Sequence, residues 1–298
     1  MCGVIKLTKE LNMDTLENLD EFESIFRRAT KPQYEYLNIV PRSILIVTDQ
    51  VDENLESLIE QLKTFSKAFR SVEKWETLRL DDQSTVAKLE RQLLEQSADM
   101  IVTWRHLCEK SIRPQHSLGV YVDVLTQVLP VPILLLPGSR FEPVSLEDRT
   151  CANVIVATDH LNGDHRLVNY AAGMVNNDGK LILGHVEDDL VFGRYLKAIE
   201  QIPELSTNIA REKLLEQLIH EAKRYSESAA EVLSKISPSV SVIAEIQIGH
   251  RLKTYRDLIT NYRADLLVMN TKDDEQLAMH GLAYSLSVEL IEVPQLLL

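Results

Sequence analysis

The sequence predicts an α/β fold made of two open parallel sheets in tandem, the first shortened by about one helix–strand unit. Three observations predict it. Short, continuously apolar runs alternate with amphipathic helical stretches, which is the pattern of parallel strands buried on both faces. The strand-like runs also occur twice in one order. Ser43-Ile-Leu-Ile-Val-Thr-Asp49 returns as Asn153-Val-Ile-Val-Ala-Thr-Asp159, Ala98-Asp-Met-Ile-Val102 as Ala264-Asp-Leu-Leu-Val268, and the Pro-rich run ending at Leu136 as Glu292-Val-Pro-Gln-Leu-Leu-Leu298. Finally, the interval from Asp49 to Gly119 is 70 residues and that from Asp159 to Gly281 is 122. The surplus of 52 matches one long helix, one strand and their loops.

Taken in order, residues 1–40 form an extension. Asp14-Thr-Leu-Glu17 is a capping box, and Leu16, Leu19, Phe22, Ile25, Phe26 and Ala29 follow at helical spacing up to the stop at Lys31-Pro32. A strand from Val4 to Leu7 is a further candidate. The first unit spans 41–140. Its opening strand ends at Asp49, and a helical stripe runs through Leu55, Leu58, Ile59, Leu62, Phe65 and Phe69. Trp75–Leu80 is a strand, and Val86, Leu89, Leu93 and Leu94 mark a helix. A strand at Met100–Thr103, a helix over Leu118–Val128 and a strand at Ile133–Leu136 complete it. The second unit spans 150–298. It has a strand to Asp159, a helix over Arg166–Val175, a strand at Lys180–Val186, and a long helix whose apolar face runs from Leu215 to Ile236. Pro238 ends that helix. Val240–Ile248 is a strand, Gly249 opens the next turn, and a helix carries Leu252, Tyr255, Leu258, Ile259 and Tyr262. A strand at Leu266–Met269, a helix from near His280 and a strand at Pro294–Leu298 close the chain.

Bulk properties remove several function classes. A net charge of −13 disfavours nucleic acid and anionic membrane surfaces as partners. No apolar run has the roughly 18 residues needed to span a bilayer. No basic segment followed by an apolar stretch marks a signal peptide. Three cysteines, Cys2, Cys108 and Cys151, form no paired framework and no CxxC, so the expected compartment is the cytoplasm. There is no nucleophile elbow, Walker A loop or HExxH, and an enzyme is not expected.

The strand-then-Asp openings, the His185-Val-Glu-Asp188 strand end, the Ala-Asp-apolar strands and the Pro-x-Pro at 130–132 together resemble the universal stress protein family in its tandem form. The resemblance covers residues 41–298. It implies Rossmann-like domains of five parallel strands with helices on both faces, paired through their last strands. Here that pairing would be an internal pseudo-dimer, with a further homodimer open. In the family the Asp ending the first strand contacts the adenosine end of ATP, and Asp49 and Asp159 match it. A loop of the form G-x2-G-x9-G-(S/T) holds the phosphates, because glycines and a helix N-terminus let backbone N–H groups close on an anion. Gly119 and Gly281 match the last glycine but precede Val120 and Leu282. Trp104 and Asn270 stand in the first glycine's place, and Thr271-Lys-Asp-Asp-Glu275 puts three carboxylates where phosphates belong. One like-charge contact near 4 Å is worth roughly 4 kcal/mol at an effective dielectric near 20, about a thousandfold in affinity. No cofactor is therefore expected, with ATP or another adenine nucleotide at most a weak ligand of vestigial pockets.

The leading expectation is a stress-response regulatory or adaptor protein with an unidentified protein partner. A second is an adenine-nucleotide switch or weak ATPase that uses Asp159 and backbone groups near Val186, Gly249 and Gly281. A third is a metal or small-ligand sensor built on His160, His165 and His185, with Asp164 read equally well as a helix cap. Arg105, His106, Lys110 and Arg113 read as a solvated basic loop that could receive an anion. The extension helix is expected to pack on the first unit, and Ile133–Leu136 to lie beside Pro294–Leu298.

Overall fold

The computed structural model describes residues 33–298 except 51–54, 82, 110–116, 129, 140, 159–160, 162–163, 200–206, 272–278 and 280. The expected extension helix, the Val4–Leu7 strand, Asp159, His160, Lys110, Arg113 and the Asp273–Glu275 run lie outside these residues.

Among the described residues nine strands make one sheet. In chain order they are β1 (Ser43–Thr48), β2 (Lys74–Arg79), β3 (Met100–Thr103), β4 (Ile133–Leu135), β5 (Asn153–Thr158), β6 (Lys180–Asp188), β7 (Ser241–Gly249), β8 (Leu266–Met269) and β9 (Gln295–Leu297). Their spatial order is β2-β1-β3-β4-β9-β8-β5-β6-β7. Every pairing is parallel except the central one, where β4 runs antiparallel to β9 with Ile133 opposite Leu297 and Leu135 opposite Gln295. The two matching terminal strands thus lie side by side as the repeat predicts, and each removes the other's free edge. The strands that read as continuous apolar runs are the interior ones. Every residue of β3, β4, β8 and β9 is buried. The edge strands β2 and β7 are half-exposed along their length.

The order β2-β1-β3-β4 is repeated as β6-β5-β8-β9, with β7 added outside β6. The 52-residue surplus is located there. Eight helices flank the sheet among the described residues: α1 (Leu55–Phe65), α2 (Val86–Leu94), α3 (Val120–Val128), α4 (His165–Met174), α5 (Asp189–Ile199), α6 (Thr207–Ile236), α7 (Arg251–Tyr262) and α8 (Gly281–Glu289). Between β6 and β7 stand α5 and the long α6, where the first half has only α2 between β2 and β3. The sequence marks one helix in that stretch. The structure has two, because the Asp188 carboxylate takes the Leu190 N–H at 2.9 Å and starts α5 at the strand end. Phe69 likewise leaves the α1 stripe for a 3-10 turn, Lys67–Phe69. Ser66 caps that turn, its hydroxyl accepting from Ala68 N–H and donating to the Met174 carbonyl at 2.6 Å.

Helices α1, α4 and α6 cover one face of the sheet and α2, α3, α7 and α8 the other, each over its own apolar cluster. Residues 33–40 cross the first of these faces. Tyr34, 4% exposed, donates its hydroxyl to Asn169 at 2.6 Å and stacks edge-on against His165 and Tyr225. Its backbone N–H reaches the Ser228 hydroxyl, and Leu37 N–H bonds Asn169. The described end of the extension therefore sits on α4 and α6 of the second half. The expectation that the Asp14–Ala29 helix packs on the first unit falls outside the described residues. What holds Tyr34 is a pocket of three aromatic rings and one amide that no local sequence pattern announces.

Candidate functional site

In an open α/β sheet a ligand crevice forms at the strand carboxyl ends where the strand order reverses. The sheet has two such points, between β1 and β3 and between β5 and β8, separated by β3, β4, β9 and β8.

The first crevice is filled by the chain itself. Asp49 follows β1, and its Oδ2 accepts the Cys108 N–H at 2.6 Å. The loop after β3 turns back over the strand ends with His106 and Cys108 at φ 64° and 58°. His106 N–H bonds the Leu118 carbonyl, and its Nδ1 lies 3.1 Å from Glu109 Oε2. Gly119, at φ 88°, is pressed against that loop, since a Cβ there would lie 2.9 Å from the His106 backbone. The structure thus brings Asp49 and Gly119 together around the 105–109 loop and uses both to hold it.

Arg105 corrects the reading of that loop as solvated. It is 1% exposed, and its guanidinium donates to the carbonyls of Leu136 (3.0 Å), Gly138 (3.3 Å) and Ser287 (3.0 and 3.3 Å). Burial pulls its pKa down to about 9. Ser287 lies in the last turn of α8, whose final carbonyls lack helical partners, so a cation is favourable there. Arg105 joins the end of β4 to a helix of the other half. His106 is buried as well. Neither is placed to receive an anion from solvent.

At the second point one pair of described side chains spans the end of β8 and the start of α4. Asn270, at the end of β8, donates its amide to Asp164 Oδ2, while Asp164 Oδ1 caps α4 through Leu167 N–H at 3.1 Å. Burial raises the Asp164 pKa and outweighs the lowering by those two bonds. Val186 is fully buried on β6. Gly249 ends β7 opposite Asp188, where a Cβ would approach Thr254 Oγ1 at 3.0 Å. Gly281 opens α8 with nothing within 4 Å of a Cβ position. Val186 and Gly249 sit on adjacent strands, whereas Gly281 follows β8, on the other side of β5.

Tyr255 is the residue at this end that sequence reading places only in a helical stripe. Its hydroxyl accepts the Thr158 N–H at 3.0 Å and lies 2.6 Å from the Thr158 carbonyl and 3.2 Å from that of Gly184. A Cβ on Gly184 would lie 3.0 Å from the Tyr255 ring. A glycine inside an apolar strand signals such a close approach. The two described histidines of the sensor reading, His165 and His185, have separate partners. His165 Nδ1 faces the Tyr225 hydroxyl at 3.0 Å, and His185 Nε2 faces Glu187 Oε1 at 2.9 Å. Among the described residues no three His, Cys, Asp or Glu side chains are grouped to hold a metal. No described helix is long and apolar enough to cross a membrane.

Comparison with solved structures gives the fold a relative. A universal stress protein from Archaeoglobus fulgidus superimposes over 86% of this chain and 95% of its own, with 14% identity and a TM-score of 0.50. That likeness fixes the fold. The universal stress protein UspA from Lactobacillus plantarum matches 50% of this chain and 97% of its own at 15% identity and TM-score 0.39. A functionally unknown protein from Pseudomonas aeruginosa matches 87% and 92% at 14% identity and TM-score 0.41. No protein-family model matches the chain, and no curated protein matches it.

Proposed function

We propose that this is a universal stress protein-type regulatory or adaptor protein that acts through its surfaces, without tight nucleotide binding and without enzymatic turnover. The observation that carries the proposal is the self-filled first crevice. The Asp49 carboxylate, the group that would meet adenosine, is taken by Cys108 N–H, and Gly119 is consumed by the loop's own packing. The nucleotide loop residues Trp104 and Arg105 are buried in the fold instead. In the same reading residues 41–140 and 150–298 are two units forming an internal pseudo-dimer in a cytoplasmic protein, with 1–40 an extension. Titration calorimetry with Mg-ATP tests it. The expected dissociation constant is no tighter than the high micromolar range, roughly −5 to −6 kcal/mol. A low-micromolar constant sinks the proposal.

A second reading, an adenine-nucleotide switch in the second half, is favoured by one observation. Gly281 begins α8 with no described atom within 4 Å of a Cβ position, which a packed helix start does not need. Saturable ATP binding that is lost on Asp159→Ala and kept on Asp49→Ala would favour this reading.

A further inference from the structure

A groove of about 540 Å³ opens where residues 36–40 meet the Lys67–Phe69 turn and the carboxyl ends of α4 and α6. That volume lies in the range of small-molecule sites. The groove is built from both halves and the extension. Lys67 N–H bonds Asn176 Oδ1 at 2.7 Å, which ties the turn to the second half. Gly173 lets the extension lie close, since a Cβ there would be 2.9 Å from the Ile39 carbonyl. Val40, Leu233, Ile236 and Val240 supply an apolar wall, and Val40 and Ile236 keep 38% and 45% of their surface exposed at it.

Among the described residues Lys67 is the one charged residue lining the groove, and no described carboxylate lines it. None of the ion pairs among the described residues includes Lys67. This is unusual placement in a chain with 45 acidic residues against 32 basic ones. Burial also lowers the Lys67 pKa, outweighing an opposing contribution from Cys151, as expected of an ammonium partly withdrawn from water. A partly desolvated cation beside an exposed apolar wall is complementary to a molecule with one negative charge and a hydrocarbon body. A neutral apolar ligand would leave the ammonium without a partner. A polyanion would find one cation in a strongly acidic protein.

We propose that this groove binds a small amphipathic carboxylate, its head on Lys67 and its chain against Val40, Leu233, Ile236 and Val240. The site is separate from both strand-end crevices, so it stands whether or not either binds nucleotide. The test is calorimetric titration of the full chain with decanoate, and with decanol as the uncharged control. One-to-one decanoate binding is expected, weakened about tenfold or more in Lys67→Gln, the loss typical of one charged hydrogen bond. Decanol should bind the wild type more weakly than decanoate does, and no more weakly in Lys67→Gln than in the wild type. Ile236→Glu, at a position that keeps 45% of its surface exposed, should remove decanoate binding while Lys67→Gln and Ile236→Glu melt like the wild type. Absence of saturable binding to the wild type, or a Lys67→Gln chain that binds decanoate as tightly, overturns the proposal.

Discussion

Asp99 and Asp265 hold corresponding strand starts in the two halves. Asp99 Oδ2 accepts the N–H groups of Arg42 (2.8 Å) and Ser43 (2.9 Å), and Asp265 Oδ2 those of Ala152 (3.1 Å) and Asn153 (2.7 Å). Each aspartate also returns its own N–H to the strand it clamps, at the carbonyls of Ser43 and Asn153. The Ala-Asp-apolar repeat is therefore a repeat of backbone bonding. Beyond this clamp the halves diverge. At the first point a backbone group, Cys108 N–H, occupies Asp49, and at the second a side chain, Asn270, occupies Asp164. Backbone closure is fixed by the course of a loop, while side-chain closure can be undone by one substitution. The same local motif thus leaves two crevices with different capacity to change.

The largest expected effect tests how far the halves depend on each other. Arg105→Met should destabilise the protein by about 3 kcal/mol or more, because it strips partners from three buried carbonyls. Urea denaturation followed by far-UV circular dichroism measures this. A loss under 1 kcal/mol would mean that the halves are held by β4 and β9 without the guanidinium.

Next is the asymmetric support from the extension. Tyr34→Ala empties an aromatic pocket and should cost about 3 kcal/mol. Hydrogen exchange should accelerate in α4 and α6 more than in α1. Equal acceleration in all three would show that the extension supports both halves alike.

The third contrast concerns the crevices. Asn270→Gly puts back the first glycine of the phosphate loop and should strengthen Mg-ATP binding by a few-fold to tenfold, up to about 1.4 kcal/mol. Trp104→Gly in the first half should give no gain, since the loop backbone still covers Asp49. Gain in the first half alone would invert the comparison.

The smallest effect concerns the twin aspartates, whose ionisation differs in sign. For Asp99, burial acts upward, but the N–H groups of Arg42 and Ser43 and the Ser43 hydroxyl bring its pKa below the usual value. For Asp265, burial dominates and raises it, against the bonds from Asn153 and Ala152 and the charge of Arg149. An unfolded aspartate titrates near about 3.9. Ionised Asp99 therefore stabilises the fold above that pH, and the contribution fades as pH falls through its lower folded value. The Asp265 contribution is present below about 3.9 and is lost as pH rises through its higher folded value. Asp99→Asn should thus cost up to about 1 kcal/mol at neutral pH, with the loss shrinking in acid, while Asp265→Asn should be near neutral at pH 7. Melting curves of both variants between pH 3 and 7 decide it, and parallel curves would refute the sign difference.

Much of the fold was legible in the chain because it rests on period and order. Continuous apolar runs at 43–48, 100–103, 153–158 and 266–269 read as two-face-buried strands, and their repetition showed which strands correspond and that the second half carries about one extra helix and strand. The β4–β9 pairing followed from the same repeat, since two matched terminal edges need partners. Side-chain roles were less legible. Asp49 and Gly119 could be singled out by position, yet only the path of the 105–109 loop decided that they hold that loop. Arg105 sits in a basic stretch that reads as solvated. Its burial depends on carbonyls at 136, 138 and 287, brought together only when β4 pairs with β9. Tyr34 and the Lys67 groove likewise require groups more than 100 residues apart. Local sequence sets the period of each element and its caps, because those forces act over a few residues. Which charges are withdrawn from water, and which crevices stay open, is decided by long-range packing that no window of the sequence contains.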